Sequence, residues 1–180
     1  MATSTQQSEC LAPPVDAEQF KAGMRGLAGA VSILSFTDGQ QTAGLTATAV
    51  MSITATPPRI MVCVNQSTFA HTLVKEGSSV CINVLSSADQ YQAQIFAGMV
   101  SDIAPEARFD QGGWIQPENM APQLPSALVN LQCQIVEILP ASSHSMVVCE
   151  VIQVCTHPDQ REALVYFDGH FIDVSPANNK

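Results

Sequence analysis

The run from Gly44 to Asn65, GLTATAVMSITATPPRIMVCVN, puts hydroxyls and small side chains where an ordinary core strand carries bulk. On a strand, Thr46, Thr48 and Val50 face one way, and Leu45, Ala47 and Ala49 face the other. Glycine and alanine leave backbone N–H and C=O groups open, and threonine hydroxyls add donors and acceptors. A planar heteroaromatic ring with edge carbonyls and ring nitrogens suits such a surface. A plain strand with the usual threonine propensity is the competing reading. Directly after it comes VNQSTFAH, Val64–His71, which reads as a strand ending at Asn65 and a helix opened by Ser67 and Thr68. Free N–H groups and the helix dipole at such a junction favour an anion such as phosphate. Simple capping by Ser67, with no ligand, is the alternative there. A ring surface followed by a phosphate seat points more firmly to a ligand than either element alone.

Other chemistries find little support. His71, His144, His157 and His170 show no HxxxH or HxH spacing, which argues against a metal site. No Ser-His-Asp set or carboxylate pair can be read from the chain. The glycines of MRGLAGA precede a strand where a dinucleotide-binding turn would follow one. The six cysteines form no CxxC pair. Cys63, Cys81, Cys133 and Cys149 lie in apolar runs and read as small buried hydrophobes of a reducing compartment.

These residues need elements to hold them. Asp16 can cap a helix in which Phe20, Met24 and Leu27 share a face. Ala30–Thr37 reads as a strand, Asp38-Gly39 as a hairpin turn, and residues 42–50 as the returning strand. Ile60–Val64, apolar on both faces, reads as a fully buried strand. A helix is expected over Ser67–Lys75, ended by Gly77. Val80–Leu85 is another buried strand. A helix capped by Ser87 follows, with Ala88, Tyr91 and Ile95 on one face, and ends at Gly98. Residues 100–127 carry Pro105, Pro117, Pro122, Pro125 and the single tryptophan, Trp114. A loop this long is usually functional or a subunit contact, with Trp114 a lid or, preferably, a dimer anchor. Two long strands, 128–139 and 144–157, flank PASS, and Ala163–Phe167 leads through Asp168-Gly169 to a last strand. About seven strands joined largely as hairpins, with three short helices, predict a mainly β fold: an antiparallel β-barrel with helices covering its ends.

Residues 16–175 form one expected domain, between a flexible arm at 1–15 and a tail at 176–180. The chain is 46% hydrophobic and 13% charged, which excludes disorder and hints at apolar surface covered by a partner subunit. A formal charge of −9 without a basic run disfavours nucleic acid and anionic membranes. No stretch approaches a membrane span, and the N-terminus lacks a signal-peptide pattern, so a cytoplasmic location is expected.

Taken in order, GLTATAVMSITATPPRIMVCVN, HTLVKEG, CINVLSS, IFAG, RFD with a later tryptophan, SHSMVVCEV and LVYFDGHF resemble the short-chain flavin reductases. These are the reductase components of two-component flavin-dependent monooxygenases. The resemblance runs from about Phe20 to Phe171. It implies a split β-barrel, a homodimer, and FMN or FAD bound at the subunit interface. It implies hydride transfer from NADH, or NADPH, and delivery of reduced flavin to a separate monooxygenase. By position, Gly44, Leu45, Thr46, Thr48 and Ala49 would line the isoalloxazine. Cys63, Val64 and Asn65 would contact the ring and ribityl chain. Ser67, Phe69 and Ala70 would sit near the phosphate, and Phe96 near the flavin. His144 would lie beside the nicotinamide, with Tyr166 and Phe171 close by. Many relatives carry arginine where this chain has Gln66 and Phe69. The phosphate segment carries no positive side chain until Lys75, so backbone N–H groups, Ser67 and Thr68 would hold the phosphate, and weak, exchangeable flavin binding is expected. A flavin carrier, or an oxidase like the pyridoxamine-phosphate oxidases, is the alternative on the same barrel.

Overall fold

Helix α1 (Ala17–Met24) starts where Asp16 accepts the Gln19 N–H at 2.8 Å, so the expected cap is in place. The computed structural model describes residues 13–157 and 162–176, which leaves most of the expected arm and tail outside the described residues. The strands follow in chain order as β1 (Gly29–Ala30), β2 (Ser32–Thr37), β3 (Thr42–Ala47), β4 (Val50–Ala55), β5 (Pro58–Asn65), β6 (Ser79–Val84), β7 (Val129–Ala141), β8 (His144–Thr156), β9 (Ala163–Phe167) and β10 (His170–Val174). Helix α2 (Gln90–Phe96) lies between β6 and the long loop. Seven strands form one antiparallel sheet in the order β3-β2-β6-β7-β8-β5-β4, and β1-β9-β10 form a second.

The edge strands of the large sheet are neighbours in sequence. Only Thr48 and Ala49 separate β3 from β4. Three Cα steps span at most about 11 Å, so the sheet must curl until its edges meet. At that seam the Val50 N–H donates to the Thr48 carbonyl at 3.0 Å, and the Cys63 N–H to the Ala49 carbonyl at 3.2 Å. Strands β3 and β4 do not pair with each other, so the barrel is split along this line. The sequence reading ran one strand through residues 42–50. The structure breaks it, and the two-fold alternation stops at Ala47. Thr46 and Thr48 therefore do not share a continuous face.

The Asp38-Gly39 turn is as expected. Asp38 Oδ1 accepts the Gln40 and Gln41 N–H groups at 3.0 and 2.9 Å, and Gly39 takes φ +90°. Those N–H donors, Gln41 first, hold the Asp38 carboxyl below its ordinary value of 3.8. Strand β5 differs from expectation. Ile60, Val62 and Val64 are buried while Met61 and Cys63 are half-buried, so only one of its faces enters the core.

The helices are shorter than predicted. Ser67–Lys75 yields a 3₁₀ helix over Phe69–Leu73. Ser86, not Ser87, caps the next element: its N–H and Oγ both donate to Asp89 Oδ2, at 2.9 and 2.6 Å. The buried face of α2 is Gln92, Ala93, Ile95 and Phe96, while Ala88 and Tyr91 point outward. Among the described residues no helix is long and apolar enough to cross a membrane.

Two apolar clusters result. One fills the barrel, with Leu34, Val62, Ile82, Ile135 and Val147. The other packs α2 and the long loop against β2, with Ile33, Ile95, Phe96, Leu124 and Leu164. Buried amides latch the loop to the sheet. Asn83 Oδ1 accepts the Leu124 N–H at 2.9 Å and Asn130 Nδ2 at 2.9 Å. Asn130 Nδ2 also donates to the Leu124 carbonyl, and Gln132 Nε2 to the Ala121 carbonyl. Ser35 Oγ donates to the Pro122 carbonyl. Each bond is worth about 0.5–1.5 kcal/mol net, but losing one partner strands buried groups at a larger cost.

Cys81, Cys133 and Cys149 are buried, as expected, whereas Cys63 is half-buried. Burial pushes the Cys81 thiol far up and the Cys133 and Cys149 thiols up to about 12. The reactive species is the thiolate. Native protein treated with a thiol reagent at pH 8 should therefore be labelled at Cys63 and Cys155 and spared at Cys81, Cys133 and Cys149 until denaturant is added. Mass mapping of the labelled peptides checks this, and labelling of Cys81 in the native state would refute the barrel-wall placement.

Candidate functional site

Strand β3 divides its side chains between two environments. Ala43, Leu45 and Ala47 pack into the barrel. Gly44 and Thr46 turn toward α2. A Cβ at position 44 would lie 2.6 Å from Phe96 Cε1 and 3.1 Å from Phe109 Cζ. Thr46 Oγ1 donates to the Ala93 carbonyl at 2.7 Å. Within the protomer the glycine thus makes room for a ring of the chain's own, and the first threonine hydroxyl anchors a helix.

Phe96, Phe109 and Trp114 form a compact trio, with centroids 5.0 to 5.1 Å apart. Trp114 Nε1 donates to Gln92 Oε1 at 3.2 Å. The tryptophan that the sequence suggested as a dimer anchor is held by its own subunit.

The expected site residues fall into three groups. Gly44, Leu45, Phe69, Ala70 and Phe96 line a cavity of about 270 Å³, together with Thr68, Pro105 and Arg108. Phe96 is buried there, and Phe69 is half-exposed at 53%.

The second group lies at the ends of β5 and β8. Asn65 pairs with His144 across the ladder. Asn65 Oδ1 accepts both the N–H and Oγ of Ser67 at 2.9 Å. Gln66 Nε2 donates to the His144 carbonyl at 3.0 Å, and Ser143 Oγ bonds His144 Nδ1 at 2.9 Å. One further histidine joins them: His71 Nε2 meets the buried Ser145 Oγ at 2.9 Å. Cys63 and Val64 precede this group on β5, with the Val64 side chain in the core.

The third group surrounds a larger cavity of about 730 Å³. Thr48 and Tyr166 line it with Gly29, Val50, the α1 residues Phe20 and Met24, and Arg25 at the end of that helix. Phe171 packs edge-on to Tyr166 at 5.2 Å. Ala49 is exposed on the seam between the cavities' strands.

Sequence reasoning assigned no role to Arg108. It belongs to a 3₁₀ helix over Pro105–Asp110, far along the chain from Thr68–Ala70, and only the fold brings them to one cavity. Its Nε is buried without a hydrogen-bond partner. An orphaned buried donor costs about 1–3 kcal/mol. The sequence marked Arg108 only as part of the RFD block, and nothing periodic in the loop pairs it with Thr68–Ala70.

The barrel is split along one seam, with two cavities lined by residues of the seam segment Ala43–Val50. Its similarity to solved flavin reductases and to curated FMN reductases makes it a split barrel of the flavin reductase type and its class flavin oxidoreductase. The chain belongs to the flavin reductase like domain family, whose model matches residues 24–175. It is 34% identical over 160 residues to an FMN reductase (NADH), RutF, of Acinetobacter baylyi, covering 88% of this chain and 82% of that one. It is 35% identical over 156 residues to the 4-hydroxyphenylacetate 3-monooxygenase reductase component of Pseudomonas aeruginosa, covering 86% and 89%. Among solved structures it is similar to BorF, the flavin reductase component of a bacterial two-component tryptophan halogenase. That match has a TM-score of 0.79 at 27% identity, covering 89% of this chain and 99% of that one.

The contact between Gly44 and Phe96 makes a specific prediction. Gly44→Ala forces a Cβ into the ring, and overpacking of this kind costs about 1–3 kcal/mol. Urea denaturation should show that loss, and adding Phe96→Leu should recover part of it. Equal stability of Gly44→Ala and the parent would contradict the packing described.

Proposed function

We propose that this protein is an NADH-dependent flavin reductase that reduces FMN or FAD and passes the reduced flavin to a partner monooxygenase. The observation that carries the reading is the family match over residues 24–175. In support, Gly44, Leu45, Phe69, Ala70 and Phe96 line one cavity of the barrel, and Thr48 and Tyr166 another. Relatives named as an NADH-dependent FMN reductase and as a monooxygenase reductase component support the donor and the partner.

A flavin supplies the electron-accepting ring when bound, and the protein supplies orientation and a dry surface. The residues fit such a group. The 270 Å³ cavity has apolar walls in Leu45, Phe69, Ala70 and Phe96, and one cationic group, Arg108. The larger cavity is apolar over most of its wall, with Thr48 and Tyr166 supplying hydroxyls. In this reading His144 binds the nicotinamide amide. Ser143 Oγ engages its Nδ1, which leaves Nε2 as the free ring position, and Gln66 holds its backbone. Holding reactants in register in this way supplies much of the catalysis in a reaction that needs no protein nucleophile.

A homodimer completes this reading. Phe20, Met24 and Leu27 are 60%, 46% and 66% exposed, and all three border the larger cavity. Apolar residues grouped beside a cavity mark an interaction face. A second copy seated there would cover the face and wall the cavity. The cytoplasm, where free thiols persist, is the proposed location.

Three measurements test this. Purified protein in air should oxidise NADH at a rate that rises with added FMN or FAD. A bound yellow chromophore without NADH consumption would instead favour a carrier or an oxidase. His144→Ala should lower kcat/KM for NADH by about 10- to 100-fold while flavin affinity stays unchanged. Finally, the parent should sediment as a dimer, and Met24→Asp with Phe20→Asp should shift it toward monomer. A parent that sediments as a monomer would remove the dimer from the reading.

A further inference from the structure

We propose that Arg108 is the cation of an anion site in the smaller cavity, and that the site takes the phosphate monoester of the flavin. This rests on the flavin reductase reading above. The segment expected to seat a phosphate carries no positive side chain, and its hydroxyl protons are spent within the turn, which leaves it backbone N–H groups alone. A hydroxyl carries one O–H. Ser67 Oγ spends its proton on Asn65 Oδ1 at 2.9 Å, and Thr68 Oγ1 on the Asn65 carbonyl at 2.8 Å. Thr72 Oγ1 spends its own on the Phe69 carbonyl at 2.7 Å. The helix there is 3₁₀ and spans only Phe69–Leu73, so its dipole is small. Lys75, the nearest basic residue in sequence, lines a different cavity beside Asp38 and Glu76.

Arg108 brings a positive charge from a separate 3₁₀ helix. It lines the cavity with Thr68, Phe69 and Ala70. Its Nε is buried and has no partner. The ion pairs among the described residues are Lys21–Glu18 and Arg59–Glu150, and neither involves it. A guanidinium with a stranded donor, bordering a cavity of a chain with net charge −9, lacks its counter-charge. Its planar fork matches two oxygens of a phosphate.

The side chain is also held in place. A Cβ on Gly98 would lie 3.6 Å from its Nη2, so the guanidinium passes close over that glycine. The next residue, Phe109, is locked between Phe96 and Trp114. The loop that carries both is latched to the sheet through Asn83 and Leu124.

FMN and riboflavin share the ring and differ in the phosphate, so their affinities isolate the site. Binding is read by flavin fluorescence without NADH, for the parent protein, Arg108→Met and Arg108→Lys. The parent should bind FMN at least about 10-fold more tightly than riboflavin, and millimolar inorganic phosphate should compete with FMN. Arg108→Met should lose about 10-fold or more in FMN affinity and leave riboflavin unchanged. Arg108→Lys should fall between. Equal parent affinities for the two flavins, or a proportional loss of both in Arg108→Met, would overturn the assignment while leaving the reductase reading intact if NADH turnover persists. A parent that binds neither flavin would overturn both. Should Arg108→Met misfold by circular dichroism, the parent's FMN-to-riboflavin ratio and the phosphate competition decide alone.

Discussion

The whole architecture depends on a two-residue tether. Thr48 and Ala49 join the opposite edges of a seven-stranded sheet, and so short a link leaves a curled sheet as the only solution. Closure protects the two edges that a flat sheet would expose to other chains. The closure is incomplete, because the chain turns out of β3 before it can pair with β4. The seam strand therefore faces three environments within a few residues: the barrel core at Leu45 and Ala47, α2 at Gly44 and Thr46, and the larger cavity at Thr48. Small side chains are needed there because each position is crowded from a different side. At Gly44 the crowding comes from Phe96.

The second structural demand is to fix a long loop with little regular structure of its own. Residues 100–127 could not hold a position by backbone ladders. The chain instead uses buried amides on the sheet, Asn83, Asn130 and Gln132, which bond loop backbone near Leu124 and Ala121. Upstream, the aromatic trio pins Phe109 and Trp114 against α2. Buried polar groups specify one loop position because any other leaves them unpaired. Apolar packing then sets the depth at which the loop rests. These two anchors place Arg108 without any contact of its own being required to do so.

What was legible in the sequence is what local chemistry encodes. Asp38-Gly39 and Asp168-Gly169 announced their hairpins, and the turn residues matched the positive φ values they adopt. The long runs at β7 and β8 could hardly be anything but paired strands. The break at Thr48–Ala49 was not legible. Threonine-alanine alternation continues through it without a glycine or proline, and the interruption is imposed by barrel closure. The 3₁₀ helix at Phe69–Leu73 was read as a longer helix because Phe69 and Leu73 have helical spacing. Ser86 and Ser87 are chemically equivalent as caps, and only the position of Asp89 selects the first. The expected flavin-site residues came mostly from ordered resemblance along the chain. Arg108 had to wait for the fold, since its meeting with Thr68 depends on contacts between segments with no shared periodicity.

The distribution of donors bears on how firmly a ligand would be held. Many binding sites surround an anion with hydroxyls and helix N–H groups whose geometry is fixed in advance. Here the hydroxyls of residues 67–72 serve the turn itself, which makes the turn rigid at the cost of ligand contacts. In the proposed arrangement one guanidinium on a separate loop carries the charge. Such a site can tell a phosphorylated ring from an unphosphorylated one, because the charge-assisted contact is present or absent as a unit. It adds few other bonds that must break on release. Dissociation is where affinity differences between related complexes are mostly expressed. Under the proposed function the protein hands its reduced product to another enzyme, which calls for that combination of discrimination with release, and a sparse anion site on a rigid shelf is a physical way to obtain it.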